Sequence, residues 1–103
     1  MEKWEIWDAY VAYEEDGNIT KERPVLIYNI VSDDNIIAYK MTSHDARSDR
    51  ECEVRKWAEA GLDKKTVIRT DKILRLTKKH FTNKRGKLQS IDIFRFERCR
   101  TKY

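Results

Sequence analysis

Residues 23–28, Arg-Pro-Val-Leu-Ile-Tyr, constrain the fold of this chain more than any other stretch. Pro24 has no backbone N–H to offer a ladder, so the expectation is that it occupies the first position of a strand. Val25 to Tyr28 is an unbroken apolar, β-branched and aromatic run, the pattern of a strand covered on both faces. Arg23 is then held at the mouth of a rigid strand, directly after a polar loop. A planar guanidinium fixed there suits bidentate capture of a phosphate, or pairing with a nearby carboxylate.

The elements around this strand follow from pattern and turn chemistry. Trp4 to Tyr13, rich in aromatic and branched residues, reads as a first strand. Glu14-Glu15-Asp16-Gly17-Asn18 is turn-forming and opens a loop to Glu22, either a solvated connection or a flap beside Arg23. The second strand runs from Pro24 to Val31, turns at residues 32–35 and pairs with a third at Ile36–Met41. Thr42-Ser43-His44-Asp45-Ala46-Arg47 follows, and His44 beside Asp45 has the composition of a base oriented by a carboxylate. Sequence neighbours on a strand point apart, however, so an inert surface histidine is the stronger expectation.

Glu51–Trp57 forms a fourth strand in this reading, with Cys52, Val54 and Lys56 on one side; Ala58–Leu62 is a helical turn closed by Gly61. Thr66–Leu76 is a further strand that bends or bulges near Asp71. Arg69 and Asp71 share a face if the strand is regular, as a surface ion pair or, facing a phosphate cleft, as acid and base. Between Thr77 and Gln89 stand Lys78, Lys79, His80, Lys84, Arg85 and Lys87 around Phe81, the densest basic stretch, with Gly86 expected to turn into a short edge strand. Such a stretch tracks a nucleic-acid backbone or is simply a solvated face. Ser90 is expected to cap a C-terminal helix ended by Arg98, Arg100 and Lys102, with Ile91, Phe94 and Arg98 on one side.

These elements describe one domain spanning residues 1–103, mainly β with a small helix, in a strongly bent barrel of SH3-like kind. The 22 basic and 18 acidic residues give a net charge of +4, which permits a nucleic-acid partner without requiring one. No apolar leader or membrane-length run appears, and Cys52 and Cys99 form no CxxC, so a cytoplasmic protein with reduced thiols is expected. No phosphate-binding glycine loop, repeat or metal-ligand spacing is present, and neither a metal nor a cofactor is expected.

The order Trp4-Glu5-Ile6-Trp7, Arg23-Pro24-Val25-Leu26-Ile27, Met41-Thr42-Ser43, Gly61-Leu62-Asp63 and Val67-Ile68-Arg69-Thr70-Asp71-Lys72-Ile73 resembles the MazF/PemK toxin family. Gly86-Lys87-Leu88 resembles the family's glycine–basic–leucine element before its last helix. The resemblance implies a barrel of the CcdB/MazF/PemK kind, a homodimer and a cognate antitoxin partner. It also implies a metal-independent endoribonuclease that cuts single-stranded RNA, the 2′-hydroxyl attacking the adjacent phosphate to leave a 2′,3′-cyclic phosphate. By the same resemblance Arg23 neutralises the phosphorane, Thr42 holds a non-bridging oxygen, and Arg69 and Asp71 act as acid and base. Ser43, Lys78, Lys79, Lys84 and Arg85 are expected to contact RNA. The chain departs from the PemK branch in the flap, where Gly17 and Asn18 stand in place of a histidine and the flap glutamate corresponds to Glu14, Glu15 or Glu22. Two other readings share the barrel: a CcdB-like gyrase poison, and a non-catalytic RNA-binding barrel. The first acts through a C-terminal Trp-Gly-Ile, against Cys99-Arg100-Thr101-Lys102-Tyr103 here.

Overall fold

The computed structural model describes residues 1–12, 20–44 and 46–102. Six strands form one antiparallel sheet: β1 Glu5–Ala12, β2 Thr20–Ser32, β3 Asn35–Thr42, β4 Glu51–Glu53, β5 Val67–Leu76 and β6 Phe81–Lys87. Their order is β4-β5-β3-β2-β1-β6, and helix α1, Ser90–Arg100, lies at the C-terminal end of the chain. The mainly β architecture with one short C-terminal helix is thus the one the sequence pattern implies. Among the described residues, no helix is long and apolar enough to cross a membrane. Tyr13 and the expected flap positions 14–18 lie outside the described residues, as does Asp45.

The apolar run does what its pattern demands. β2 lies between β1 and β3, and Val25, Leu26 and Ile27 are all fully buried. Leu26 joins a cluster with Ile6, Tyr39, Met41, Ile68 and Phe96, whereas Val25 joins a separate one with Ala9, Val11, Ala38 and Leu76. Alternate residues of one strand therefore serve two cores on opposite faces. Pro24 is not the first residue of the strand, however: β2 begins at Thr20, and Pro24 sits inside it opposite Asp8. The pairing of β2 with β3 stops at Val25↔Lys40, so at Pro24 the strand has a neighbour on one side only and loses no central ladder bond.

The expected fourth strand stops early, at Glu53. The reason lies far away in sequence: the backbone N–H groups of Arg55 and Lys56 donate to the two oxygens of Asp92, at 2.9 and 2.8 Å. Fully buried in the first turn of α1, Asp92 bends the chain into the turn that runs to Leu62. That turn then meets β6 backbone to backbone. Gly61 has φ +92°, and a Cβ there would lie 1.9 Å from the Arg85 carbonyl oxygen; one on Gly86 would lie 2.2 Å from that of Ala60. The two glycines bring the turn after β4 against edge strand β6, which the sheet hydrogen bonds do not join. Gly86 is accordingly a member of β6 rather than a turn leading into it.

Helix α1 is capped at Gln89 without a side-chain hydrogen bond, so the expected serine cap is absent and Ser90 is already the first helical residue. Its buried face is Asp92 and Phe96; Ile91 and Phe94 point to solvent, the reverse of a core-facing stripe. Phe96 makes edge-to-face contacts with Trp4, Tyr28 and Tyr39 at centroid distances of 5.9, 6.1 and 5.0 Å. Phe94 instead lies under the Arg98 guanidinium, 5.9 Å away.

Candidate active site

Where β2 and β3 stop pairing, they splay. β2 continues from Pro24 towards Thr20 bonded to β1 alone, while Met41 and Thr42 pair with Ile68 and Val67 of β5. The opening is a cleft of about 70 Å³, walled by Arg23 and Pro24 on one strand and by Met41, Thr42 and Ser43 on the other. Its floor and rim come from Leu62, Asp63, Lys64 and Thr66, with Arg85 reaching in from β6. Among the described residues, three cations, Arg23, Lys64 and Arg85, line the cleft together with one carboxylate, Asp63. Arg85 is itself fixed: its guanidinium lies 3.2 Å from Asp8 and 3.7 Å from Asp63. Ser43 donates to the Lys65 carbonyl at 3.2 Å, which ties the end of β3 to the segment before β5. A preorganised, part-enclosed group of donors with a hydroxyl and a carboxylate suits a phosphodiester undergoing charge development.

The other expected residues sit elsewhere in the chain. Arg69 pairs across the sheet with Glu51, whose carboxylate lies 3.4 Å from Arg69 Nε and 3.7 Å from His44 Nε2 and accepts the Arg47 backbone N–H at 2.7 Å. His44 thus has the Glu51 carboxylate within ion-pair distance. Asp71 lies in the expected bulge: Tyr39 pairs with Ile73 and Met41 with Ile68, so β5 has extra residues between those two contacts. The bulge breaks the alternation that would have put Arg69 and Asp71 on one face. Asp71 lines a second cavity, of about 230 Å³, with Tyr39, Arg50, Thr70, Ile73 and Arg100. Within one chain, Arg23 and Thr42 are brought together, and neither Arg69 nor Asp71 lines their cleft.

The basic stretch divides in the same way. Lys78 and Lys79 lie in a short 3₁₀ turn whose Lys78 N–H bonds the Asp33 carbonyl at 2.8 Å, at the β2–β3 turn. That is the far end of β3 from Thr42, roughly 20 Å along the strand. Lys84 is engaged with Glu5 at 2.9 Å. Burial pushes the Glu5 carboxyl up, but hydrogen bonds from Lys84, the Trp7 indole and the Glu2 backbone outweigh it and hold the pKa at about 2. Of the four basic residues expected to contact RNA, Arg85 alone lines the cleft, together with the fifth expected contact, Ser43. Sequence reasoning did not single out Lys64 and Asp63 as site residues; the polar Asp-Lys-Lys run just after the Gly61 turn was the available signal.

A roomier cavity of about 350 Å³ lies against the helix, lined among others by Cys52, Cys99, Arg95 and Glu53. Burial, with the neighbouring Cys99 thiol, pushes the Cys52 thiol up to about 12, so it is protonated and unreactive near neutrality.

The chain matches a family model described as PemK-like, MazF-like toxin of type II toxin–antitoxin system, over residues 2–99. Among solved structures, an endoribonuclease in complex with its cognate antitoxin from a mycobacterial species superposes with a TM-score of 0.79 at 11% identity. That match covers 99% of this chain and 92% of the other. The Mycobacterium tuberculosis toxin MazF-mt6 superposes with a TM-score of 0.72 at 17% identity over 93% of each chain. At such identities the likeness establishes the fold. No curated protein matches the chain in sequence.

Proposed function

The chain belongs to the PemK-like, MazF-like toxins of type II toxin–antitoxin systems, and from that premise we propose that it is a metal-independent endoribonuclease cutting single-stranded RNA in the Arg23–Thr42 cleft. The observation that carries this reading is the meeting of Arg23 and Thr42, from two strands, in one basic cleft at the point where those strands part. In the proposed step the 2′-hydroxyl attacks the adjacent phosphorus, leaving a 2′,3′-cyclic phosphate and a free 5′-hydroxyl. The Arg23 guanidinium offers two donors to the equatorial oxygens, where charge accumulates, and the Thr42 hydroxyl a third. Asp63, the carboxylate of the cleft, takes the 2′-hydroxyl proton. The departing 5′-oxygen takes its proton from water at the cleft mouth.

Type II toxins are held by an antitoxin, and one structural relative is an endoribonuclease in complex with its own. The partner proposed here is an acidic segment that lies over the cleft, matching Arg23, Lys64 and Arg85. We also propose that the toxin is a cytoplasmic homodimer, in which joining two barrels lengthens the basic groove. Light scattering checks this directly, since a 12.4 kDa particle would remove the dimer. The catalytic reading is tested by incubating the protein with a long mixed-sequence RNA in EDTA. Fragments ending in 2′,3′-cyclic phosphate are expected from the parent, and none from Arg23→Ala. Intact RNA with the parent protein would leave a binding barrel without chemistry.

A further inference from the structure

The cavity beside the β5 bulge has a composition unlike a solvated surface. Its walls are two guanidinium groups, one carboxylate, a phenol, a threonine and the side of Ile73, an apolar residue left 57% exposed. Each wall has a local cause. The Thr70 N–H and hydroxyl both donate to the Arg50 carbonyl, at 2.8 and 2.6 Å, which pins Arg50 beside the bulge. Arg100 is held by Glu97 at 3.0 Å and lies 5.0 Å over the Tyr28 ring. The Tyr39 hydroxyl oxygen accepts a hydrogen bond from Arg100, and burial pushes its pKa up, so the phenol stays neutral. The bulge turns Asp71 into the same space.

We infer that this cavity reads a guanine base of the RNA, through Asp71 and the Arg50 and Arg100 guanidinium groups, an inference that rests on the ribonuclease reading above. Guanine alone among the four RNA bases places two donors side by side, N1–H and the N2 amino group, where one carboxylate accepts both. It also carries two adjacent acceptors, O6 and N7, that match a guanidinium. Uracil has one donor between two acceptors, and adenine and cytosine each have one exocyclic amino group. Ile73 supplies an apolar surface for the base plane. Tyr39 of this cavity and Met41 of the cleft lie two residues apart on one face of β3, about 7 Å along it. A base here is therefore within a few nucleotides of the phosphate being cut. The division of labour is the usual one for nucleic acids, with the cleft gripping backbone and the cavity reading sequence.

The test uses ¹⁵N-labelled protein and the four nucleoside 5′-monophosphates, observing the amide signals of Thr70 to Ile73. Guanosine monophosphate is expected to shift them at concentrations where the other three do not. Inosine monophosphate, which lacks the N2 amino group, should bind roughly five- to tenfold more weakly. Asp71→Asn should erase that difference while leaving the rest of the spectrum in place. Equal shifts with all four nucleotides, or shifts confined to Arg23 and Thr42, overturn the inference. A second readout maps the cut sites on a mixed RNA. The expectation is a guanine at one fixed position near the cut, and inosine there should slow cleavage by a similar factor. In Asp71→Asn the guanosine-to-inosine rate ratio falls to about one. Loss of cleavage at every sequence in Asp71→Asn, with RNA still bound, would place Asp71 in the chemistry and overturn its reading role. Selective binding of the guanine nucleotide without any RNA cleavage would instead leave the cavity standing and remove the ribonuclease.

Discussion

The two halves of the β2–β3 pair behave as different materials. From Val25 to Ile27 β2 is hydrogen-bonded to β3 and fully buried, and Leu26 and Val25 feed two separate cores. From Pro24 back to Thr20, and from Met41 on to Ser43, each strand keeps a single neighbour and polar side chains face the gap. The first half is close-packed, where a lost ring leaves a void. The second is an opening between strands that each keep an outer partner, so cutting back a polar side chain such as Arg23 leaves no void in a core. Stability and chemistry should therefore separate by mutation, even though the two halves are a few residues apart.

The largest expected effect is on the packed half. Phe96 is fully buried, with its ring 5.0 Å from that of Tyr39, so Phe96→Ala should cost about 3–5 kcal/mol of folding free energy. Denaturant titration by tryptophan fluorescence measures it; a loss below about 1 kcal/mol would mean that the helix contributes little to the core. The next effect lies in the open half. Arg23→Lys keeps the charge and loses the fork, so single-turnover cleavage should fall about a hundredfold to a thousandfold with the thermal midpoint unchanged. A parallel fall in the thermal midpoint would break the separation, because it would make Arg23 a structural residue.

Acid sharpens the contrast at β1. The Glu5 carboxyl has a pKa lowered from 4.5 to about 2, so the folded state binds its proton less readily than the unfolded chain. Its stabilisation is complete above pH 4.5 and is lost as the pH falls from there to about 2. The whole contribution is at most on the order of 3 kcal/mol. Lys84→Met removes the strongest of the hydrogen bonds that lower this pKa, and the acid loss of stability should shrink accordingly. An identical pH dependence in the variant would show that Lys84 does not hold the carboxylate. The smallest of these effects is expected at the turn after β4. Asp92→Asn replaces one of the two acceptors with a donor facing a backbone N–H, and should cost about 2 kcal/mol. Hydrogen exchange at Arg55 and Lys56 should accelerate selectively; unchanged protection there would mean that another group closes the turn.

The strand pattern, the doubly buried run at Val25–Ile27 and the C-terminal helix were legible because they rest on local periodicity. A side chain every second residue on a strand, or every third to fourth on a helix, is set by backbone geometry alone. The placing of Arg23 beside a break in pairing was legible for a related reason, since the adjacent proline cannot serve a central ladder. What remained hidden depended on register. Glu51 became the neighbour of Arg69 because β4 pairs with β5 in that register, while the irregularity of β5 between Ile68 and Ile73 goes with an Asp71 that lines a separate cavity. The core-facing side of α1 was set by Asp92 reaching Arg55 and Lys56, not by its two exposed apolar residues, Ile91 and Phe94. The dense basic stretch from Lys78 to Lys87 was dispersed by topology, with Lys78 and Lys79 at one end of β3 and Arg85 at the other. A local sequence determines which element forms, because those preferences act within a few residues. Which charges meet depends on contacts between distant strands, whose bulges and registers are settled only when the cores close.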